Sequence, residues 1–395
     1  MTAVIMAGGK GTRVASVNSD IPKPMIPIAG KPVLEHQIDC LRRQGITDII
    51  LIVGHLGHII REYFGESFRY IEEKEPLGTA GALWYLKDEI KDDFLLINGD
   101  VLFDIDVNRF LKAHKASGGT VTLFTHPNNH PYDSGIVVSD KDHCVTAWLT
   151  KEDKRGWYKN RVNAGLHMMS PRIFEKFAFD TPKKLDLDRD ILKPMIPEHS
   201  LFTYDSPEYV KDMGTPERII ETEQDIQSGK VSRKNLSRKQ QALFIDRDGT
   251  INKYVGFLRN IDDFELIPST VDIIKKANSD GELVIVITNQ PVIARGEVTW
   301  EQLEEIHNKM ETLLGEQGAY VDDIFICPHH PDKGFEGERP EYKFECDCRK
   351  PKPGLILQAA EKYNIDLSQS TMIGDSENDI LAGKAAGCGK TILLK

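Results

Sequence analysis

Asp246-Arg247-Asp248-Gly249-Thr250 sets two carboxylates two residues apart, directly behind the apolar run Ala242-Leu243-Phe244-Ile245. At a strand end such a pair divides its labour. Asp246 could attack phosphorus to give an aspartyl phosphate, while Asp248 could protonate the departing oxygen and later activate water. A second phosphate signature, Gly8-Gly9-Lys10-Gly11-Thr12-Arg13, follows the apolar run Ala3-Val4-Ile5-Met6-Ala7. Glycines in a turn leaving a buried strand open backbone N–H groups to phosphate oxygens, and Arg13 adds a bidentate charged contact. One signature suits phosphate removal and the other suits a loop around a nucleoside triphosphate.

A third cluster offers soft ligands: Cys327-Pro328-His329-His330 and then Cys346-Asp347-Cys348. Three thiolates and one imidazole match tetrahedral Zn²⁺, with His329 or His330 as the nitrogen donor. All four positions would be filled from the chain, so the expected zinc is structural and pins the loop that carries Arg349 and Lys350. Buried thiols without metal are the plainer alternative. The remaining Cys40, Cys144 and Cys388 read as ordinary thiols, and six cysteines in so long a chain are too few for a disulfide framework.

Elements must hold these groups in place, and the sequence indicates which. Ile49-Ile50-Leu51-Ile52-Val53, Phe94-Leu95-Leu96-Ile97, Leu283-Val284-Ile285-Val286-Ile287 and Thr371-Met372-Ile373 are short continuous apolar runs, as in strands buried on both faces of a mostly parallel sheet. Helical stretches alternate with them, including 33–44 and 300–314. At 395 residues the chain predicts two or three domains at roughly 150 residues each. The expected division is 1–226, a polar basic linker over 227–241, and 242–395. A basic patch for nucleic acid is the competing reading of 227–241, but it lacks interleaved aromatics.

Lysine and arginine total 50 against 61 aspartates and glutamates, a formal charge of -11. That balance argues against generic binding to nucleic acid or to an anionic membrane, so local cations and metals must meet phosphorylated small molecules. The first strand begins near the initiator methionine, and no apolar run reaches the roughly 18 residues of a membrane span. A soluble cytoplasmic protein is expected, and the sequence leaves open a homo-oligomer.

The first half continues with Asp20-Ile21-Pro22-Lys23-Pro24-Met25, Leu77-Gly78-Thr79-Ala80-Gly81, Asn98-Gly99-Asp100, Asn163-Ala164-Gly165 and Asp212-Met213-Gly214-Thr215-Pro216. In order and extent this series resembles the sugar-1-phosphate nucleotidyltransferase family. The resemblance implies a Rossmann-like mixed sheet and transfer of a nucleotide to a sugar 1-phosphate with release of pyrophosphate. It also implies that Asp100 and Asp212 hold Mg²⁺, that Arg13 and Lys23 neutralise developing charge, and that Gly8, Gly9, Gly11, Thr12, Gly78 and Thr79 bind the nucleotide. Asn163 and Gly165 would line the sugar pocket. Lys151 stands where a Glu-Lys pair is common, but Thr150 precedes it here and Glu152 follows, so it reads either as a sugar contact or as a surface lysine.

The second half resembles the haloacid dehalogenase superfamily through Asp246 to Thr250, Ile287-Thr288-Asn289-Gln290, Arg349-Lys350-Pro351 and Ile373-Gly374-Asp375-Ser376 with Asp379. This implies a Rossmannoid phosphatase with Mg²⁺ held by Asp246, Asp375 and the backbone carbonyl of Asp248. Thr288, Asn289 and Lys350 would bind the phosphate being removed. With the zinc loop, for which the family pattern favours His329, the half resembles the phosphatases of D-glycero-D-manno-heptose 1,7-bisphosphate and of histidinol phosphate. Arg349 and Arg295 are then candidates for gripping a second phosphate. Pro291, where serine is common, removes a hydroxyl and an N–H near that pocket.

Together the resemblances imply an α/β enzyme of two domains. The second would remove the C7 phosphate of a heptose bisphosphate, and the first would join the remaining 1-phosphate to GMP from GTP. The alternative couples a mannose- or glucose-1-phosphate nucleotidyltransferase to a histidinol-phosphate phosphatase.

Overall fold

The computed structural model describes residues 1–8 and 21–394. The chain divides into two compact units. The first comprises 1–126, 137–148 and 163–235; the second comprises 127–136, 149–162 and 236–395.

In the first unit the strands are β1 (Ala3–Met6), β2 (Pro27–Ile28), β3 (Lys31–Pro32), β4 (Ile49–Val53), β5 (Arg69–Glu72), β6 (Phe94–Asn98), β7 (Val101–Asp104), β8 (Val121–His126), β9 (Ile136–Ser139), β10 (Val145–Leu149), β11 (Val162–Met169), β12 (Leu201–Asp205) and β13 (Tyr209–Asp212). A nine-stranded sheet follows the order β10-β9-β11-β6-β1-β4-β5, with β8 on β11 and β12 on β8. β1 lies parallel to both β4 and β6, whereas β11 runs antiparallel to β6, so the sheet is mixed. The central strands are buried on both faces, which explains why their apolar residues run without alternation. Helices α1 (Val33–Arg43), α2 (Gly57–Phe64), α3 (Val107–Ser117), α4 (Pro216–Gln227) and α5 (Lys230–Arg233) also belong to this unit.

The second unit has a five-stranded parallel sheet in the order β16-β15-β14-β17-β18, built from β14 (Ala242–Ile245), β15 (Leu283–Asn289), β16 (Asp323–Cys327), β17 (Thr371–Gly374) and β18 (Lys390–Leu393). Its helices are α6 (Pro268–Asp280), α7 (Pro291–Ala294), α8 (Trp300–Glu316), α9 (Gly354–Tyr363) and α10 (Glu377–Ala386). Helix α8 starts at a capping box in which Thr299 and Gln302 satisfy each other's backbone N–H groups. Functional carboxylates gather beyond the carboxyl ends of β14 and β17, where open α/β sheets form their binding crevice.

Two boundaries depart from the sequence-based division. Segments 127–136 and 149–162, read from the sequence as part of the first domain, cluster with the second unit. There Arg161 Nη1 pairs with Glu311 Oε2 of α8 at 3.0 Å, and both side chains are only 3% exposed. Tyr158 N–H donates to Thr312 Oγ1 (3.0 Å) and Asn160 N–H to Glu311 Oε2 (3.0 Å). The stretch 227–241 is folded rather than a solvated tether. Lys230–Arg233 is helical, and Asn235 Nδ2 donates to buried Asp104 at 2.7 Å. Leu236 packs into the core of the second unit. Among the described residues no helix is long and apolar enough to cross a membrane.

Candidate active sites and metal centre

In the first unit, Pro22 and Pro24 flank Lys23, whose Nζ lies 3.3 Å from Asp100 Oδ2. Asp100 follows β6, and its carbonyl accepts from Met213 N–H at 2.8 Å. Asp212 ends β13 opposite Val101 of β7, so pairing of β7 with β13 brings the two predicted metal ligands to neighbouring backbone positions. The Asp212 carboxylate is engaged by Arg218 Nη1 at 2.6 and 2.5 Å. Gly78, at φ +80°, lies against the Leu185 backbone, where any Cβ would collide with the carbonyl. Thr79 Oγ1 accepts from Leu187 N–H at 2.7 Å, which ties this loop to the segment across from it. Asn163 Oδ1 accepts from Gly165 N–H at 3.2 Å. Gly8 is described; Gly9, Gly11, Thr12 and Arg13 lie outside the described residues. Lys151 falls in the 149–162 segment, with a 64% exposed side chain 4.0 Å from Glu152.

In the second unit, Asp246, Asp375 and Asp379 offer carboxylate oxygens that all lie within 4.8 Å of one another. Lys350, 4% exposed, reaches into this cluster: its Nζ is 2.7 Å from Asp246 Oδ1, 2.5 Å from Asp379 Oδ1 and 2.7 Å from the Ile287 carbonyl. Burial raises the proton affinity of Asp246, and Lys350 opposes that rise. Lys350 itself holds its proton more tightly than usual because two carboxylates flank it, which outweighs its own burial. Asp375 is raised as well, first by burial and then by Asp379. Three carboxylates around a single ammonium are short of positive charge, and a hard divalent cation would supply it. Gly249, at φ +79°, is where a Cβ would run into the Asp375 carboxylate.

Three side chains hold Asp248 at the edge of the cleft. Arg247 Nη2 donates to both of its carboxylate oxygens, at 2.8 and 2.7 Å, and Arg247 Nε donates to Oδ1 at 3.1 Å. Asn252 Nδ2 and Gln290 Nε2 complete the set at 3.1 and 2.9 Å. Gln290 Nε2 also donates to buried Thr288 Oγ1 at 2.9 Å. Asn289 clasps the Lys350 backbone through two bonds of 3.1 Å. A cleft of about 330 Å³ opens over these groups, lined among others by Tyr254, Phe257, Pro291 and Arg349.

The four soft ligands converge. Cys348 Sγ is 3.2 Å from both Cys327 Sγ and Cys346 Sγ, and His329 Nδ1 is 3.2 Å from Cys348 Sγ. Ligands about 2.3 Å from a tetrahedral zinc stand roughly 3.8 Å apart, so the cluster is close to zinc-binding dimensions. The imidazole that joins the three thiols is that of His329. His330 turns away, accepting from Asp332 N–H at 3.2 Å and lying 3.4 Å from Arg295. Burial raises the thiols of Cys327 and Cys348, so a bound metal would have to displace tightly held protons.

The two arginines expected at a second phosphate are placed differently. Arg295 is not among the residues lining the cleft; its guanidinium is stacked between Phe257 and Phe335, 4.2 and 4.4 Å from the ring centres. Arg349 does line the cleft and donates to the His329 carbonyl at 3.2 Å. Asp379 was not in the sequence-based metal set, and the signal the sequence does carry, Ser376-x-x-Asp379, is that of a helix cap. That spacing caps α10, with Ser376 N–H and Oγ bound to Asp379 Oδ2 at 3.1 and 2.6 Å, and it leaves Oδ1 for Lys350. The partners of Asp248 were also missed.

The nucleotidyl transferase family model matches residues 2–229. The D-glycero-beta-D-manno-heptose-1,7-bisphosphate 7-phosphatase of Pasteurella multocida is 41% identical over 157 residues, which is 40% of this chain and 82% of that protein. The chain belongs to both families. The D-glycero-alpha-D-manno-heptose-1,7-bisphosphate 7-phosphatase of Photorhabdus laumondii is 43% identical over 157 residues, covering 40% of this chain and 84% of that protein. A HAD-hydrolase-like model matches residues 347–395. Among solved structures, HddC from Yersinia pseudotuberculosis is similar over 57% of this chain and 99% of its own, at 28% identity and a TM-score of 0.49. A putative glucose-1-phosphate thymidylyltransferase from Bacillus anthracis shares the fold over 57% of this chain and 94% of its own, at 20% identity and a TM-score of 0.50. The protein is a nucleotidyltransferase and a phosphatase on one chain.

Proposed function

We propose that the chain catalyses two consecutive steps toward GDP-D-glycero-D-manno-heptose. The second unit hydrolyses the C7 phosphate of the 1,7-bisphosphate, and the first transfers GMP from GTP to the heptose 1-phosphate that remains. What carries the reading is a phosphatase half 41% identical to a heptose-bisphosphate 7-phosphatase, on the same chain as a nucleotidyl transferase half. Removing the phosphate at C7 leaves the other phosphate as a nucleophile, so one site's product is the next site's substrate. Histidinol phosphate, the alternative, offers no such shared intermediate.

In the phosphatase step, a carboxylate oxygen of Asp246 attacks phosphorus and the alkoxide leaves with a proton from Asp248. Asp248 then takes a proton from the water that cleaves the aspartyl phosphate. Lys350 and Thr288 hold the phosphate oxygens, and Arg349 at the cleft wall suits the second phosphate. Asp246, Asp375 and the Asp248 carbonyl would hold Mg²⁺, which supplies charge neutralisation between two anions. Cys327, His329, Cys346 and Cys348 would hold a structural Zn²⁺, directly before Arg349 and Lys350 in the chain.

In the transferase step two phosphates meet, so positive charge is needed more than a base. Lys23 would provide it, together with Arg13 of the glycine loop. Asp100 and Asp212 would hold Mg²⁺ once Lys23 and Arg218 yield their present ion pairs. We place both steps in the cytoplasm, where nucleoside triphosphates are available and thiols stay reduced.

The test is incubation with the α- and β-heptose bisphosphates and each of four nucleoside triphosphates. GDP-heptose from GTP, with inorganic phosphate and pyrophosphate released, is expected. Faster phosphate release from histidinol phosphate, or formation of another nucleotide sugar, would overturn the assignment.

A further inference from the structure

Between its two carboxylates the phosphatase motif carries Arg247, the largest fully buried side chain of the described residues. A guanidinium is always charged and has five N–H groups that need acceptors, so burying one is costly unless its whole edge is satisfied. Here Nε and Nη2 grip Asp248, and Nη1 faces His307 Nε2 of α8 at 3.1 Å. Arginine cannot accept, so His307 Nε2 is the acceptor and the ring is neutral with its proton on Nδ1. His307 is itself 5% exposed, and burial with the neighbouring Arg247 charge opposes its protonation.

From this geometry we infer that His307 is a positioning residue for phosphate hydrolysis, holding the plane of Arg247 so that Arg247 aims the carboxylate of Asp248. A fork bonded along one edge only would be free to rock about the Asp248 contact. A neutral acceptor on the opposite side removes that freedom without competing for the charge. His307 is not among the residues lining the cleft. It lies 59 positions along the chain from Asp248, on a helix whose next turn carries Glu311, the partner of Arg161. The inference rests on Asp248 being the acid and base proposed above.

The consequence is selective for the leaving group. A sugar alkoxide needs a proton from Asp248 in order to leave, whereas p-nitrophenolate does not, and kcat/KM reports this first half-reaction. In the full-length protein, His307→Leu should lower kcat/KM for heptose bisphosphate by about 10- to 100-fold. For p-nitrophenyl phosphate the loss should stay within about threefold, and KM for the sugar should hardly move. His307→Gln, whose amide oxygen can accept from Nη1, should recover most of the loss. Nucleotidyl transfer is measured alongside as a check on folding. Equal losses on both phosphates, or no loss on either, would overturn the inference. Should the leucine variant fail to fold, Arg247→Lys serves instead, because a point charge keeps the ion pair but loses the fork; it must show the same selectivity. Asp248→Asn separates the two readings. If it retains turnover of the sugar bisphosphate, the acid/base assignment fails; if it is inactive while His307→Leu is normal, only the positioning role fails.

Discussion

Lys350 Nζ lies 2.7 Å from Oδ1 of Asp246, so this buried carboxylate has a cation built against it. The same ammonium is 2.5 Å from Asp379, and it therefore separates two carboxylates that would otherwise repel. Removing it should leave phosphatase chemistry without its main fixed positive charge. Lys350→Met is expected to lower phosphatase kcat/KM by about 100-fold or more, with nucleotidyl transfer unchanged in the same preparation.

The same cluster predicts how metal and protons compete. Burial raises Asp246 above its ordinary value, so the folded protein holds this proton more tightly than the unfolded chain. The metal-free unit is thus favoured below the unfolded carboxylate value of about 3.9 and loses that contribution as pH rises through the folded value. Mg²⁺ reverses the balance because it binds the ionised form. The Mg²⁺ concentration giving half-maximal phosphatase rate should therefore climb as pH falls from neutrality. Activation curves measured at several pH values check this, and a flat dependence would argue against Asp246 as a ligand.

Strand positions and the soft-ligand set were legible in the sequence for simple reasons. A strand buried on both faces needs an unbroken apolar run, and Ala242–Ile245 has one. Thiolates at zinc spacing have few other uses. His329 and His330 were indistinguishable on spacing alone and were separated by what each ring faces. The packing of 149–162 onto α8 and the brace of Arg247 by His307 were not legible. Each depends on polar side chains from distant segments, and such pairing leaves no periodic signature. The stacking of Arg295 between two phenylalanine rings was likewise not legible, because the rings come from distant segments.

The proposed zinc cluster should matter to the phosphatase chemistry beside it and not to nucleotidyl transfer. Cys348 precedes Arg349 and Lys350 directly, and its sulfur lies 3.2 Å from those of both Cys327 and Cys346. Cys348→Ser is expected to reduce bound zinc from about one per chain to a small fraction, as read by elemental analysis. Phosphatase activity should fall with the zinc, because Lys350 loses its anchored approach. Nucleotidyl transfer should not follow. Full phosphatase activity in zinc-free protein would mean that the loop holds itself.

The Arg161–Glu311 pair yields a stability prediction that differs from the usual surface ion pair. With both side chains 3% exposed, deleting one partner strands a charge in the interior, at a cost of about 3 kcal/mol or more. Glu311→Ala should therefore lower the unfolding temperature of the phosphatase unit, followed by loss of phosphatase activity on heating. Replacing both residues with leucine or methionine should recover much of the difference, because the desolvation of both charges is then removed together. The pair also implies that a fragment starting at Leu236 will be less stable than the phosphatase unit within the whole chain. The fragment leaves Glu311 without Arg161 and uncovers the face of α8 to which Tyr158 and Asn160 bond. Equal unfolding temperatures for the fragment and the whole-chain unit would show that 149–162 adds nothing to that fold.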